Sequence, residues 1–270
     1  MKKQNALLLF LILLKFSIGF IFSNPDFELH RDEYLYYEQG HHLDFGYLEN
    51  PPLIGLLAYI SSLVGGGVLW IKFWPAFFGA LTLWVTVRIV KEFGGGLYAQ
   101  LLAAAGIIFT GYLRIHVLFQ PNFLDIFFWT LSAYFLVRYI NSKNNKYVFY
   151  LAIALALGWY SKYSVLFFIA SLCIAILLSQ HRNLLMTKQF WLAVFLAGLL
   201  MLPNILWQYF HNWPLFHHMK ELQETQLQNL SRIDFMKEQV LMLLPVAFLW
   251  IGGTVWVLKQ KQFRVIGYSF

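Results

Sequence analysis

The sequence predicts an all-α membrane protein, a polytopic bundle of about eight transmembrane helices forming one domain over residues 1–270. Three observations predict it. Hydrophobic residues make up 59% of the chain and charged residues only 12%, well below the roughly 25% charge of a soluble domain. The apolar residues fall in runs separated by short polar segments, as spanning helices require. The lysines and arginines gather beside those runs, so the formal net charge of +7 orients the chain in a membrane and does not point to nucleic acid.

The elements follow in order. Lys2 and Lys3 precede an apolar run, Ala6–Phe22, and no small-x-small cleavage site follows it. It reads as an uncleaved first span with a cytoplasmic N-terminus, which places residues 23–53 on the extracytoplasmic side. That segment holds seven of the 13 acidic residues (Asp26, Glu28, Asp32, Glu33, Glu38, Asp44 and Glu49) and also His30, His41 and His42. The apolar stretch from Pro51 to Val64 is short for a span and reads as a helix at the outer interface, closed by Gly65–Gly67. Spans are expected at Leu69–Val90, Leu97–Leu113, Pro121–Ile140, Tyr147–Tyr160, Tyr163–Leu178, Phe190–Gln208 and Val240–Leu258. A second outer loop occupies 209–238. The expected cytoplasmic ends carry Arg88, Lys91, Arg138, Lys143, Lys146, Arg182, Lys188, Lys259, Lys261 and Arg264. The outer segments carry Arg31, Arg114, Lys220, Arg232 and Lys237, and this asymmetry sets the orientation.

Several function classes recede. There is no internal repeat, against a transporter built from inverted halves. No Gly-rich phosphate loop or dinucleotide fingerprint is present, so no nucleotide-binding site is expected. The single Cys173 cannot form an intramolecular disulfide. His211, His217 and His218, like His41 with His42, match no metal-ligand spacing, so no metal or other cofactor is expected.

The polar residues that can carry chemistry are few. Asp32-Glu33 is an adjacent carboxylate pair near a membrane surface: a general base and its partner, a cation site, or a solvated acid pair. Asp125 lies four residues into a span. It reads as an interior-facing acid or as a helix-start acid favoured by the dipole. Arg114 and His116 stand just before it, and Arg is suited to bidentate contact with a phosphate. Lys162, between two apolar runs, reads from the residues alone as a snorkelling lysine at the outer interface. The run LPNILWQYFHNWPLF, Leu202–Phe216, combines an aromatic belt with a proline that frees a backbone carbonyl.

The run DEYLYYEQGHHLDFGYLENPPL resembles the first-loop signature of the GT-C membrane glycosyltransferases. More narrowly it is similar to their bacterial protein-mannosyltransferase and aminoarabinose-transferase branch, of the glycosyltransferase family 39 type. That pattern has an Asp-Glu, a Tyr pair (here Tyr36 and Tyr37), and a Gly-Tyr leading into His-Pro-Pro-Leu; Asn50 stands where it has His. PNFLDIFFW and the Lys162-Tyr163 pair are similar to two further family segments. The resemblance implies transfer of a sugar, with inversion, from a polyprenyl-phosphate carrier to an extracytoplasmic lipid, glycan or protein acceptor in the bacterial inner membrane. It makes Asp32 the base, with Glu33 orienting base or acceptor. It places Tyr36, Tyr37, Asn50, Arg114, His116, Asp125 and Lys162 around substrate and carrier phosphate. Members of the family continue for several further spans, so the chain reads as a fragment, a truncated product or a short relative. The rival expectations are a non-catalytic carrier binder or flippase-like transporter, with Asp125 and Lys162 as pathway residues, and an inert fragment.

Overall fold

The computed structural model describes residues 2–21 and 28–269; Asp26 of the acidic segment lies outside the described residues. Helix α1, Lys2–Ile21, is followed by a short polar helix α2, Arg31–Gln39, and by α3, Leu53–Leu63. Gly65, Gly66 and Gly67 all have positive φ, which lets the chain reverse sharply into α4, Gly67–Glu92. Then come α5 (Leu97–Ile108), a single turn α6 (Tyr112–Ile115), α7 (Asn122–Ser142), α8 (Lys146–Ser161) and α9 (Val165–Leu178). The chain continues through α10 (Lys188–Phe210), α11 (Pro214–Thr225), α12 (Arg232–Leu243), α13 (Ala247–Lys259) and α14 (Arg264–Ser269).

The fold is an all-α, polytopic membrane fold. Among the described residues five stretches are long and apolar enough to cross a membrane: Gln4–Ile21, Gly67–Glu92, Asn122–Ser142, Lys188–Phe210 and Arg232–Lys259. The other three expected spans are shorter. Helix α9 has 14 residues and α8 has 16, which at 1.5 Å per residue gives about 21–24 Å against a hydrocarbon core of about 30 Å. The run at Leu97–Leu113 does not form one helix: it ends at Ile108 and restarts as α6. The run around Val240 is interrupted by a 3-10 turn at Leu244–Val246, where Pro245 cannot donate to the helical ladder.

Packing places α1 on α4, α4 on α7, α7 on α8 and α8 on α10, so these five helices form a continuous series of neighbours. Helix α3 sits against α2 and α4. Two apolar clusters sit at the two ends of this array. One, with Ile54, Ile71, Phe119, Phe123 and Phe127, lies beneath α2. The other, with Val137, Ile140, Leu172, Ala175 and Val265, lies toward the opposite end. That opposite end is tied by Arg138, which donates to Glu92 at 2.6 Å and also to the Tyr147 hydroxyl. Asn141 donates to the Glu92 carboxylate at 3.0 Å.

Candidate active site

The site is built on the first turn of α2. His30 precedes the helix; its Nδ1 accepts from the Asp32 amide at 3.4 Å, and its own amide donates to Glu33 Oε2 at 2.8 Å. This reciprocal cap fixes two adjacent acids at a helix N-terminus, where the dipole favours negative charge. Consecutive helical residues point about 100° apart, and here that angle separates a solvent-facing acid from a buried one. The Asp32 side chain is 38% exposed, and that of Glu33 is 0% exposed.

Glu33 is saturated. Lys72, from α4, donates Nζ to both carboxylate oxygens at 2.6 and 2.7 Å. The Phe119 amide donates to Oε1 at 2.6 Å, completing four contacts with that of His30. An ionised carboxylate offers about four lone-pair sites, so none is left for a substrate hydroxyl. Asp32 is different. It accepts from Gln120 Nε2 at 3.3 Å and from Arg31 Nε at 3.2 Å, and it keeps acceptor capacity on a half-open face.

From Asp32 a chain of polar side chains runs into the bundle edge. Gln120 touches Asp32; Asn122 Nδ2 donates to Gln120 Oε1 at 3.5 Å; Lys162 Nζ donates to Asn122 Oδ1 at 2.6 Å. Asp125, in the first turn of α7, accepts from the Ser164 hydroxyl at 2.9 Å and lies close enough to Lys162 for their charges to interact. Lys162 is therefore directed into this polar track. Tyr36 borders it: burial first, then the negative charge of Asp32 and Glu49, pushes its phenol up to about 12. It is a neutral hydrogen-bonding group at ordinary pH.

The loop after α2 is fixed by amides. Gln39 and Asn50 exchange side-chain hydrogen bonds at 2.9 and 3.1 Å, and Asn50 also donates to the Pro51 carbonyl at 2.8 Å. Asn50 is thus occupied as a loop clasp. The Tyr37 ring meets His41 edge-on, with centroids 5.4 Å apart. The Pro-Asn motif of α10 holds the same loop from the far side. Asn204, fully buried, donates to the Phe45 carbonyl at 2.6 Å and accepts from Trp159 Nε1 at 2.8 Å. Gln208 donates to the Tyr163 hydroxyl at 2.8 Å.

Besides Tyr37 and Asn50, which are held in the loop, two further expected members are not brought to this chain of contacts. His116 is 1% exposed and packs in the core, where a Cβ on Gly79 of α4 would stand 2.7 Å from its ring. The glycine at 79 is what lets an imidazole enter between the helices. Arg114 is exposed on α6 and lines a separate cavity of about 380 Å³ with Thr110, Leu113, Val117 and Leu118. Lys72 and Gln120 had not been singled out from the sequence. A lone lysine inside an apolar run, between Trp70 and Trp74, was the one available signal for the first. Among the described residues no three His, Cys, Asp or Glu side chains gather as a metal-binding group.

The chain belongs to the family described as dolichyl-phosphate-mannose-protein mannosyltransferase, which matches residues 49–207. This range includes Lys72, Gln120, Asn122, Asp125, Lys162 and Asn204 and begins after α2. The chain is also 26% identical, over 234 residues and 84% of its length, to the lipid A galacturonosyltransferase RgtD of Rhizobium johnstonii. It covers 48% of that relative, so it spans about half the length of the curated protein it matches. No solved structure matches it.

Proposed function

We propose that the protein is a membrane glycosyltransferase of the GT-C type that moves a sugar from a polyprenyl-phosphate carrier to an acceptor hydroxyl, with inversion. One observation carries the reading: a half-exposed carboxylate with free acceptor capacity, Asp32, stands at one end of a side-chain chain whose other end is the Lys162 ammonium. Family membership and the RgtD likeness support it.

The chemistry follows from the two ends. The acceptor O–H gives its proton to Asp32 as the oxygen bonds to the anomeric carbon. The bond from that carbon to the phosphate oxygen breaks, and its electron pair leaves with the carrier phosphate. A positioned carboxylate contributes about 10²–10⁴-fold as general base. A fixed cation stabilises the negative charge gathering on the departing phosphate, and Lys162, held by Asn122 beside Asp125, takes that role. The basic residues Arg138, Lys143 and Lys146 cluster at the opposite end of the bundle, which under the positive-inside rule supports an extracytoplasmic Asp32. The acceptor is a membrane glycolipid, the class that the name of the RgtD relative indicates.

The test is incubation of membranes carrying the protein with labelled polyprenyl-phosphate mannose and, separately, labelled polyprenyl-phosphate galacturonic acid. Label appearing in the glycolipid fraction with release of unglycosylated carrier supports the reading. Label moving across the bilayer still attached to carrier would instead make the protein a translocator.

A further inference from the structure

Lys72 is a charged side chain in a helix long enough to span the bilayer, and its ammonium is spent wholly on one buried carboxylate. Burying such a pair carries a desolvation cost for each ion, and a hydrophobic pair of similar volume is often as stable or more so. Stability is therefore a poor reason for it to be there. Its contacts show what it does. Glu33 joins three separate pieces of chain: α2 through its own backbone, α4 through Lys72, and the turn between α6 and α7 through the Phe119 amide. The next residue in that turn is Gln120, whose amide reaches Asp32 at 3.3 Å and whose carbonyl oxygen receives Asn122. Among the described residues no other hydrogen bond ties the Phe119–Gln120 backbone to α2.

We propose that Lys72 is a positioning residue for Asp32. It holds the Glu33 carboxylate in place, Glu33 holds the Phe119–Gln120 turn, and the turn keeps the Gln120 amide between Asp32 and the Asn122–Lys162 arm. The buried pair sets the distance between Asp32 and the arm that carries Lys162; among the described residues no other hydrogen bond or ion pair joins α2 to α4. The inference deepens the sugar-transfer reading, on which it rests for its functional meaning, but its mechanical core is independent of that reading.

The experiment uses the full chain in lipid nanodiscs and follows backbone hydrogen exchange by mass spectrometry. Lys72→Met alone would strand a buried carboxylate, so the pair is replaced together as Glu33→Gln/Lys72→Met, with Glu92→Gln/Arg138→Met at the other end as a control of the same kind. The paired variant is expected to exchange about tenfold faster over residues 116–122 and in α2, with the Glu92 end unchanged. The control is expected to loosen its own end and leave 116–122 as in wild type. If the paired variant fails to accumulate, Glu33→Gln alone, which keeps an acceptor for the Phe119 amide, gives the same local pattern at smaller amplitude. Unchanged protection over 116–122, or equal loosening there by the control, overturns the proposal. Turnover of labelled polyprenyl-phosphate mannose in the same discs separates the two readings. Positioning predicts a fall in kcat with little change in KM, and an added Gln120→Ala that costs less in the paired variant than in wild type; additive costs would make the pair a plain stabiliser. A wild-type chain inactive on this donor, or an active Asp32→Asn chain, counts against the sugar-transfer reading while the exchange pattern still decides the positioning.

Discussion

Asp32 and Glu33 share a chemistry and differ in environment, and the difference underlies the roles proposed for them. The buried acid has all its lone pairs filled by Lys72, Phe119 and His30. The half-exposed acid is touched by one neutral amide and one exposed guanidinium. Lys162 is the residue that most needs a functional test, since a lysine at a helix end usually snorkels to the headgroups. Here its Nζ points to Asn122 at 2.6 Å. Replacing it with Met removes the cation that the proposed mechanism sets beside the departing phosphate. Lys162→Met is expected to lower kcat/KM for the lipid donor about 10²–10³-fold and to leave acceptor KM little changed, read from initial rates at varied donor and acceptor. The acid pair was legible in the sequence because it interrupts an almost wholly apolar chain. Lys72 was not, since a single lysine gives no hint of a partner 39 positions earlier. Asn50 was legible as a position and illegible as a role: its partner Gln39 is an unremarked glutamine.

At the scale of elements, α10 does more than anchor. Its Asn204 is fully buried and joins the first loop at Phe45 to α8 at Trp159, so a motif that reads as an interfacial aromatic belt also clamps the loop. The opposite end carries a comparable clasp with a titratable member. His181, just before the 3-10 turn Arg182–Met186, bonds through Nε2 to the Gln262 carbonyl at 2.8 Å. Burial lowers its pKa below the usual imidazole range; the Gln262 contact opposes that shift and the charge of Lys143 adds to it. The folded state therefore binds its proton less readily than the unfolded state does. The neutral ring's contribution is fully present above the unfolded pKa of about 6.5 and is lost as pH falls below it toward the lowered folded value. Thermal stability in detergent should fall over that window in wild type and fall less in His181→Asn. Identical slopes would show that His181 is not the group responsible.

At the scale of the whole molecule, composition alone was enough for the all-α membrane class, because 59% hydrophobic residues in long runs leave few other solutions. The number of full-length spans was not legible. Apolar runs announce burial, and α8 and α9 are apolar helices of 16 and 14 residues packed beside longer neighbours. Orientation has its own test. Cysteines at Glu38 and Asn144, each exposed and at opposite ends of the bundle, are introduced into a Cys173→Ala chain, since Cys173 is itself exposed. An impermeant thiol reagent applied outside should label the first and spare the second; the reverse would put Asp32 in the cytoplasm. The central claim is that the Asp32 carboxylate takes the acceptor's proton. Its most direct test is the single-turnover rate of sugar transfer from labelled polyprenyl-phosphate donor in Asp32→Asn, which keeps the side chain's shape and its place beside Gln120. The expected result is a loss of about 10²–10⁴-fold with membrane insertion and hydrogen-exchange protection of residues 116–122 preserved. Transfer at the wild-type rate would contradict it.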